Sequence, residues 1–463
     1  MRNQKKIRRG SILPLVLVFG SFFLVVLVSL LGYVESQRGL SIKKVQREEA
    51  FNISEAGLAM YRWHIASELD GKIADDIQNY WDGSPLGVPF YEREYKDPQG
   101  KAVGKYRLEV TVPEPGSTII DAKITGWNYL NPNAKRIIKA RFRKPAWSEF
   151  AVVANDVMRF GEGTEVWGKI HSNDGIRFDG IAHNLVSSAR DVYWDPDTSS
   201  QRPGVWTSKS DPGDVFLAGT AFPLATADFT GITGDLRDIK TNAQSGGLYL
   251  AKTTGSYKNG YRLNIKTNGT VDVYRVKTRG AVSYQIQSET FLRNYPLPAN
   301  GLIFVEDDAT IEGTLNNKYL TIVAADITSG GSFRNIFLEK DLVYAHRNGS
   351  EILGLIAQGS IKIGLFSNNV LKIDGALIAQ NGNVGRDYFT SGDSSTYYKR
   401  DTITVYGAIA TNQRYGFSWG CPTTYCSGYK NRNLIFDSEL INKIPPFFPT
   451  QNSYGLDMWE EEK

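Results

Sequence analysis

From Ser11 to Val34 the chain runs for 24 residues without a charge, and 17 of them are Leu, Ile, Val or Phe. As a helix rising 1.5 Å per residue this stretch is about 36 Å long, enough to cross the hydrocarbon core of a bilayer with some tilt. A secretory signal has a shorter apolar region and a small-x-small exit site. "SLLGYVES" is a poor exit site, so a retained span is expected rather than a removed signal. The segment behind it, "SIKKVQREEAFNISEAGLAMYRWHIASEL", keeps helical period. Ile42, Val45, Ile53, Ala56, Met60 and Trp63 recur at three- and four-residue steps. No proline interrupts it, and only Gly39 and Gly57 weaken it. One helix over residues 11–66 is predicted, apolar all round at first and amphipathic afterwards.

The pattern then changes to alternation. "YRLEVTVPEPGSTIIDAKITGWNYLNPNAKRIIKARFRKP" holds three apolar-alternating runs separated by Pro-Gly and Asn-Pro. Residues 67–146 are therefore expected to form a small α+β head, with three antiparallel strands on the second half of the helix and Trp127 and Phe142 in the core. Beyond Pro145, short strands interleave with glycine. "ILGLIAQGSIKI", "LKIDGALIAQNGNVG" and "TITVYGAIATNQ" share one form, and "LIAQ" recurs at Leu355 and Leu377. Loose self-similarity near 20 residues marks a solenoid, in which each rung buries its face only against its neighbours. Residues 147–445 are read as a parallel β-helix of three to five rungs, with Asn173, Gln358 and Gln380 in polar ladders; an ordinary β-sandwich is the competing reading. An insertion is expected at about 184–300, with a short amphipathic helix ending near Gly246 and a hairpin turning at Asn268-Gly269. The Pro- and aromatic-rich tail, 446–463, is expected to lie extended along the solenoid.

Composition narrows the compartment. Lys+Arg number 53 against 49 Asp+Glu, so no basic footprint points to nucleic acid. Glycine is frequent (45) and methionine scarce (4), which suits a strand- and turn-rich exported region. The only cysteines, Cys421 and Cys426, exclude a disulfide scaffold but allow one local disulfide in an oxidising compartment. The leading flank carries Arg2, Lys5, Lys6, Arg8 and Arg9, and the far flank Arg38, Lys43, Lys44 and Arg47. This margin, with the long polar region that follows, places the N-terminus in the cytoplasm and the bulk outside, as a single-pass inner-membrane protein.

Over roughly its first 66 residues the chain resembles the PilX-type minor pilins and related pseudopilins of type IV pilus-like systems. The resemblance lies in a basic leader ending at Gly10, the apolar run from Ser11, and "EEAFNISEAGLAMYRWHI", which is similar to that family's "AFQAAEAGL" segment. It implies that a prepilin peptidase removes residues 1–10 by cutting between Gly10 and Ser11. The helix would serve first as an anchor and then as filament core against other pilin-like subunits. Loss of five positive residues would take the net charge from +4 to about −1, apart from the new terminus. The sequence departs from the family at Leu15, where typical pilins carry Glu at the fifth mature position. Pro14 suits a helix that begins at Ser11, because an amide in the first turn has no intrahelical partner to lose.

The fold class expected is thus α+β and mainly β: a long transmembrane, pilin-like helix, a small antiparallel head and a β-solenoid. Little catalytic chemistry accompanies it. "GFSWG" fits G-x-S-x-G around Ser418, but no histidine follows it in the chain. His64, His171, His183 and His346 lack metal-ligand spacing, and no phosphate-binding glycine loop occurs, so no metal and no cofactor are expected. The protein is read as non-enzymatic, acting in filament assembly or adhesion. The alternative is a membrane-tethered β-helix that binds or cleaves a surface polysaccharide, with Asp307 and Asp308 as the adjacent acids, although neighbours on a strand point to opposite faces.

Overall fold

The computed structural model describes residues 12–69, 80–81, 91–111, 119–143, 149–227, 229, 236–328, 331–420, 425–449 and 454–462. Its first element is one unbroken helix, Ile12–Leu69, of 58 residues. The helix is about 87 Å long at 1.5 Å per residue. Its apolar half packs against no other element among the described residues. From Leu13 to Val34 the large apolar side chains are 44–69% exposed on every side.

The second half is amphipathic on a face shifted from the expected one. Ala50, Ile53, Ser54, Tyr61, Ile65 and Leu69 are buried, whereas Ile42, Val45 and Trp63 are exposed, Trp63 by 69%. Ile53 and Tyr61 pack with Tyr106, Leu108, Ile124 and Phe142 of the head sheet. Small residues carry the closest approach: a Cβ added at Gly126 would stand 2.4 Å from the Ala50 carbonyl oxygen. The face is set by glycine and serine as much as by large apolar residues, and so the apolar count alone put Trp63 on it. Phe142 is in the core as expected, whereas Trp127 is only half-buried, under the Lys135 ammonium.

Among the described residues the head sheet has five antiparallel strands rather than three, in the order Tyr91–Lys96, Ala102–Thr111, Ile119–Asn128, Asn131–Arg143, Gly455–Glu462. The last strand corrects the reading of the tail. Gly455–Glu462 is not laid along the solenoid but pairs with Asn131–Arg143, covering that sheet edge. Arg143 bonds Asp457, and Arg136 pairs with Glu461 across the join. Only the preceding stretch caps the solenoid. There Phe448 is buried, and the Pro446 carbonyl accepts from the Thr321 hydroxyl.

The rest is a three-sided parallel solenoid. On its first side ten strands stack among the described residues, in the order 248–250, 302–305, 319–324, 352–357, 376–379, 408–411, 152–154, 170–172, 186–188 and 220–221. The spatial order is not the chain order. The chain enters mid-stack at Val152 and climbs to Ala221. It then returns along the outside and restarts at Leu248 at the opposite end. Finally it grows back until Ile409 pairs with Val152. Hence there are more than the three to five rungs expected. Residues 184–300 are also not one insertion, because Val186–Ser188, Leu248–Leu250 and Tyr261–Lys266 are rung strands.

What does leave the stack is smaller: the Val192–Asp195/Ser200–Pro203 hairpin, the Leu236–Gly246 helix and the arm formed by Thr270–Arg279 with Ile286–Pro296. The Asn268-Gly269 turn is present, with Gly269 at φ 80°, the left-handed position such a three-residue loop requires. The returning helix lays Leu236, Ile239 and Ala243 on the outside of the first side, over Leu302, Phe304 and Val323. Those strands are therefore buried on both faces, and this is why they read as continuous apolar runs such as "LIFV" (Leu302–Val305) rather than as alternation; "ILGLIA" further along the stack is covered in the same way by Pro445 and Phe448. At the corner that follows, Asn173 donates to Asn155 (2.8 Å) and Asn155 to Asn412 (2.9 Å), a polar ladder. Gln358 instead holds the backbone of Asp326, accepting from its N–H at 2.8 Å.

Candidate functional site

Where the C-terminal rungs meet the N-terminal ones, the second side of the solenoid breaks. Among the described residues Val384–Arg386 reaches onward only through a single bridge from Gly385 to Gly416. The strands Met158–Phe160, Ile176–Phe178 and Val205–Trp206 form a sheet of their own beyond it. Inside the joint Tyr415 stacks on Phe160 (5.4 Å) and meets Phe417 edge-on (5.0 Å), keeping the core continuous while the backbone ladder is not. Outside, the gap is a cleft of about 1540 Å³ bounded by the Ser418–Gly420 strand.

The lining is charged, with seven cationic side chains against four carboxylates. Several of these neutralise one another. Asp197 accepts from Arg414 at 2.6 Å and lies 3.4 Å from Arg159, while Asp179 accepts from Arg177 at 2.8 Å. Burial pushes the Asp197 carboxyl up, but the bonds and charge of Arg414 outweigh it and hold the group below its ordinary range. The arginines deeper in the joint differ. Arg432 is 4% exposed and donates to the Thr164 hydroxyl (3.0 Å) and to the carbonyls of Tyr429 (2.8 Å), Lys430 and Gly161 (3.1 Å). It ties the last C-terminal rung to the first N-terminal one. Burial lowers its pKa.

Arg386 is 1% exposed, lies over Phe389 (4.7 Å) and donates to the carbonyls of Tyr397, Tyr398 and Leu365 at 2.8–3.1 Å. Its Nε has no hydrogen-bond partner among the described residues, nor do Nε and Nη2 of Arg400, which is 6% exposed. Burial lowers both pKa values, that of Arg386 to about 10. The adjacent Asp387 bonds Lys362 (2.7 Å) and Tyr284 instead. At the rim, Trp419 donates its indole N–H to the Arg386 carbonyl (2.9 Å) and leaves its ring 45% exposed, edge-on to the exposed Tyr388. Lys399 stands over Tyr425 at 5.1 Å, and Lys430 is exposed.

Of the residues singled out in the sequence, Gly10, Ser11 and Cys421 lie outside the described residues. Cys426 is disulfide-bonded and sits in the Tyr425–Phe436 strand beside the cleft. Ser418 also borders the cleft, but its hydroxyl donates to the Ser427 carbonyl (3.4 Å). Asp307 and Asp308 are elsewhere, at a corner between two sides, and point along the stack in different directions. Asp307 accepts from the Thr253 N–H (3.1 Å) on one neighbouring rung, and Asp308 from the Asn335 N–H (2.8 Å) on the next. Arg334 lies 3.3 Å from Asp307. Both carboxylates are structural fasteners. His171 is buried on a rung, 3.0 Å from the Ser187 hydroxyl, and burial lowers its pKa.

The cleft was not foreseen from sequence. Its basic residues are scattered from Arg159 to Arg432 with no spacing in common, and only the joint between chain halves gathers them.

No protein-family profile matches the chain, and neither does any curated protein sequence. Among solved structures, the competence-associated pilin ComZ from Thermus thermophilus matches at 14% identity and a TM-score of 0.32, over 90% of this chain and 97% of that one. An ice-binding protein from the Antarctic ascomycete Antarctomyces psychrotrophicus matches at 11% identity and TM-score 0.21, over 62% and 95%. An ice-binding protein from an Antarctic biological consortium matches at 10% and 0.20, over 64% and 92%. Scores this low carry no weight for function.

Proposed function

We propose that this protein is a non-enzymatic, pilin-like surface subunit of a type IV pilus or related secretion apparatus, anchored by its stem before assembly and presenting a β-solenoid in filament assembly or adhesion. The observation that carries this reading is the stem. Its first half is apolar on every side and bare, while its second half is clamped to a sheet without any break between them. A helix apolar all round is stable only in lipid or among other helices. A tether needs no rigid connection to its cargo, whereas a subunit that packs through its stem does, because the stem then fixes where the head stands. The bare Leu40, Ile42 and Val45 extend the apolar surface beyond Val34, toward neighbouring stems. The basic leader and Gly10-Ser11 supply a processing site on the cytoplasmic side.

Mass spectrometry of the mature N-terminus tests the reading. A chain beginning at Ser11, with or without an N-methyl group, is expected. A chain that still begins at Met1 in cells with a working prepilin peptidase would overturn it. Recovery in sheared filaments rather than solely in the inner membrane separates a subunit from a permanently anchored envelope protein.

A further inference from the structure

The cleft at the solenoid joint has no role in the stem reading, and it presents an electrostatic problem. Arg386, in the lining, is buried with its Nε lacking a partner among the described residues, and Arg400, outside the lining, is buried with two such nitrogens. A buried cation without a counter-charge is costly, and buried polar groups are normally paired. The Arg386 donors that are satisfied face backbone carbonyls, and the neighbouring Asp387 carboxylate is bonded to Lys362 and Tyr284 rather than to Arg386. Lys399 and Lys430 add two further cations at the mouth with no carboxylate partner among the described residues. Trp419, in the same lining, leaves its ring 45% exposed, and Tyr388, outside the lining, meets it edge-on.

We infer that this cleft is a binding site for an acidic polysaccharide, a glycan bearing carboxylates on its sugars. The Lys399 and Lys430 ammonium groups match sugar carboxylates as point charges. The exposed indole face suits the apolar face of a pyranose ring, with its polar edge already satisfied by the Arg386 carbonyl. The carboxylates of Asp156 and Glu162 in the same lining can accept from sugar hydroxyls. That mixture also decides against nucleic acid. A nucleic-acid backbone offers phosphate oxygens and few hydroxyl donors, so it would meet those carboxylates as repulsion, whereas every sugar of an acidic glycan carries hydroxyl donors beside its charge. The volume, about 1540 Å³, is large enough for several sugar rings.

The test uses the full-length chain in detergent micelles, titrated calorimetrically with polygalacturonate oligosaccharides, neutral dextran oligosaccharides and a single-stranded oligonucleotide. Saturable binding of the uronate oligosaccharide is expected, weakening as salt rises, with dextran at least tenfold weaker. Lys399→Ala/Lys430→Ala, at accessible positions, is expected to lower uronate affinity at least tenfold with an unchanged melting temperature. Lys123→Ala/Lys139→Ala on the head sheet is expected to leave it unchanged. Absence of uronate binding, equal binding of dextran, tighter binding of the oligonucleotide, or indifference to the cleft variant would each overturn the inference. It stands apart from the stem reading: a mature N-terminus at Met1 would not change these titrations, and their failure would not move the cleavage site.

Discussion

Replacing Gly126 by alanine puts the docking of stem on head to a direct test. The added Cβ would stand 2.4 Å from the Ala50 carbonyl oxygen and 2.5 Å from the Ser54 amide nitrogen, both backbone atoms of the stem. Ordinary contact needs roughly 3.5 Å, so the helix must withdraw by about 1 Å over this stretch. It cannot tilt away freely, because Gly57 is also close against Tyr106 and Ile124 (2.9 Å), and Gly104 against Ile53 (2.5 Å). Overpacking against backbone belongs in the upper part of the usual range, about 2–3 kcal/mol. Read by hydrogen exchange of the full chain in micelles, that is an acceleration of roughly 30- to 150-fold for amides of residues 50–69. The control is the same chemical change where nothing lies within 4 Å, at Gly39. There alanine is expected to strengthen the helix by about 0.5–1 kcal/mol and accelerate nothing. Unaltered protection at 50–69 in Gly126→Ala, or equal acceleration in Gly39→Ala, would refute close glycine-mediated docking.

Further expectations follow from the rungs and the stem surface. Gly407 has φ 152° and pairs in register with Gly375, whose carbonyl oxygen an added Cβ would meet at 1.9 Å. Gly407→Ala should therefore cost at least about 3 kcal/mol, read as a lower urea midpoint. Burial pushes the Glu339 carboxyl from its ordinary 4.5 up to about 7. The folded state holds that proton longer than the unfolded chain does, so stability should fall as pH rises from 4.5 to about 7 and then level off. Glu339→Gln should remove that slope in urea melts at stepped pH; a slope that persists would place its origin elsewhere. Trp63, exposed by 69%, should be replaceable by serine within about 0.5 kcal/mol of head stability, while yield in sheared filaments falls.

The repeat shows how far sequence reading reached. "LIAQ" at Leu355 and at Leu377 does stack in register, and "IATN" at Ile409 stacks on the second of them. The same signal continued in "VVAN" from Val152, which pairs with Ile409 to Thr411 and brings Asn155 into the ladder. It is legible in the letters, but nothing local records that the Val152 rung stacks after the Ile409 rung, which comes far later in the chain. For the stem, period gave the helix and its length, but the buried face turned on Gly57, Ser54 and Ala50, whose small side chains admit close approach and add little to an apolar pattern.

By itself the sequence determined what depends on near neighbours along the chain: the apolar span, its helical continuation, the strand-and-corner texture of the rungs and the Asn268-Gly269 turn. These are set by side-chain period and by local backbone preference. Only the tertiary structure decided the order of the rungs, the capture of Gly455–Glu462 by the head sheet and the gathering of Arg386, Lys399 and Lys430 at one joint. An open parallel edge presents the same row of amides and carbonyls to any later rung. Which segment arrives there is settled by how the whole chain closes, and no local pattern records it.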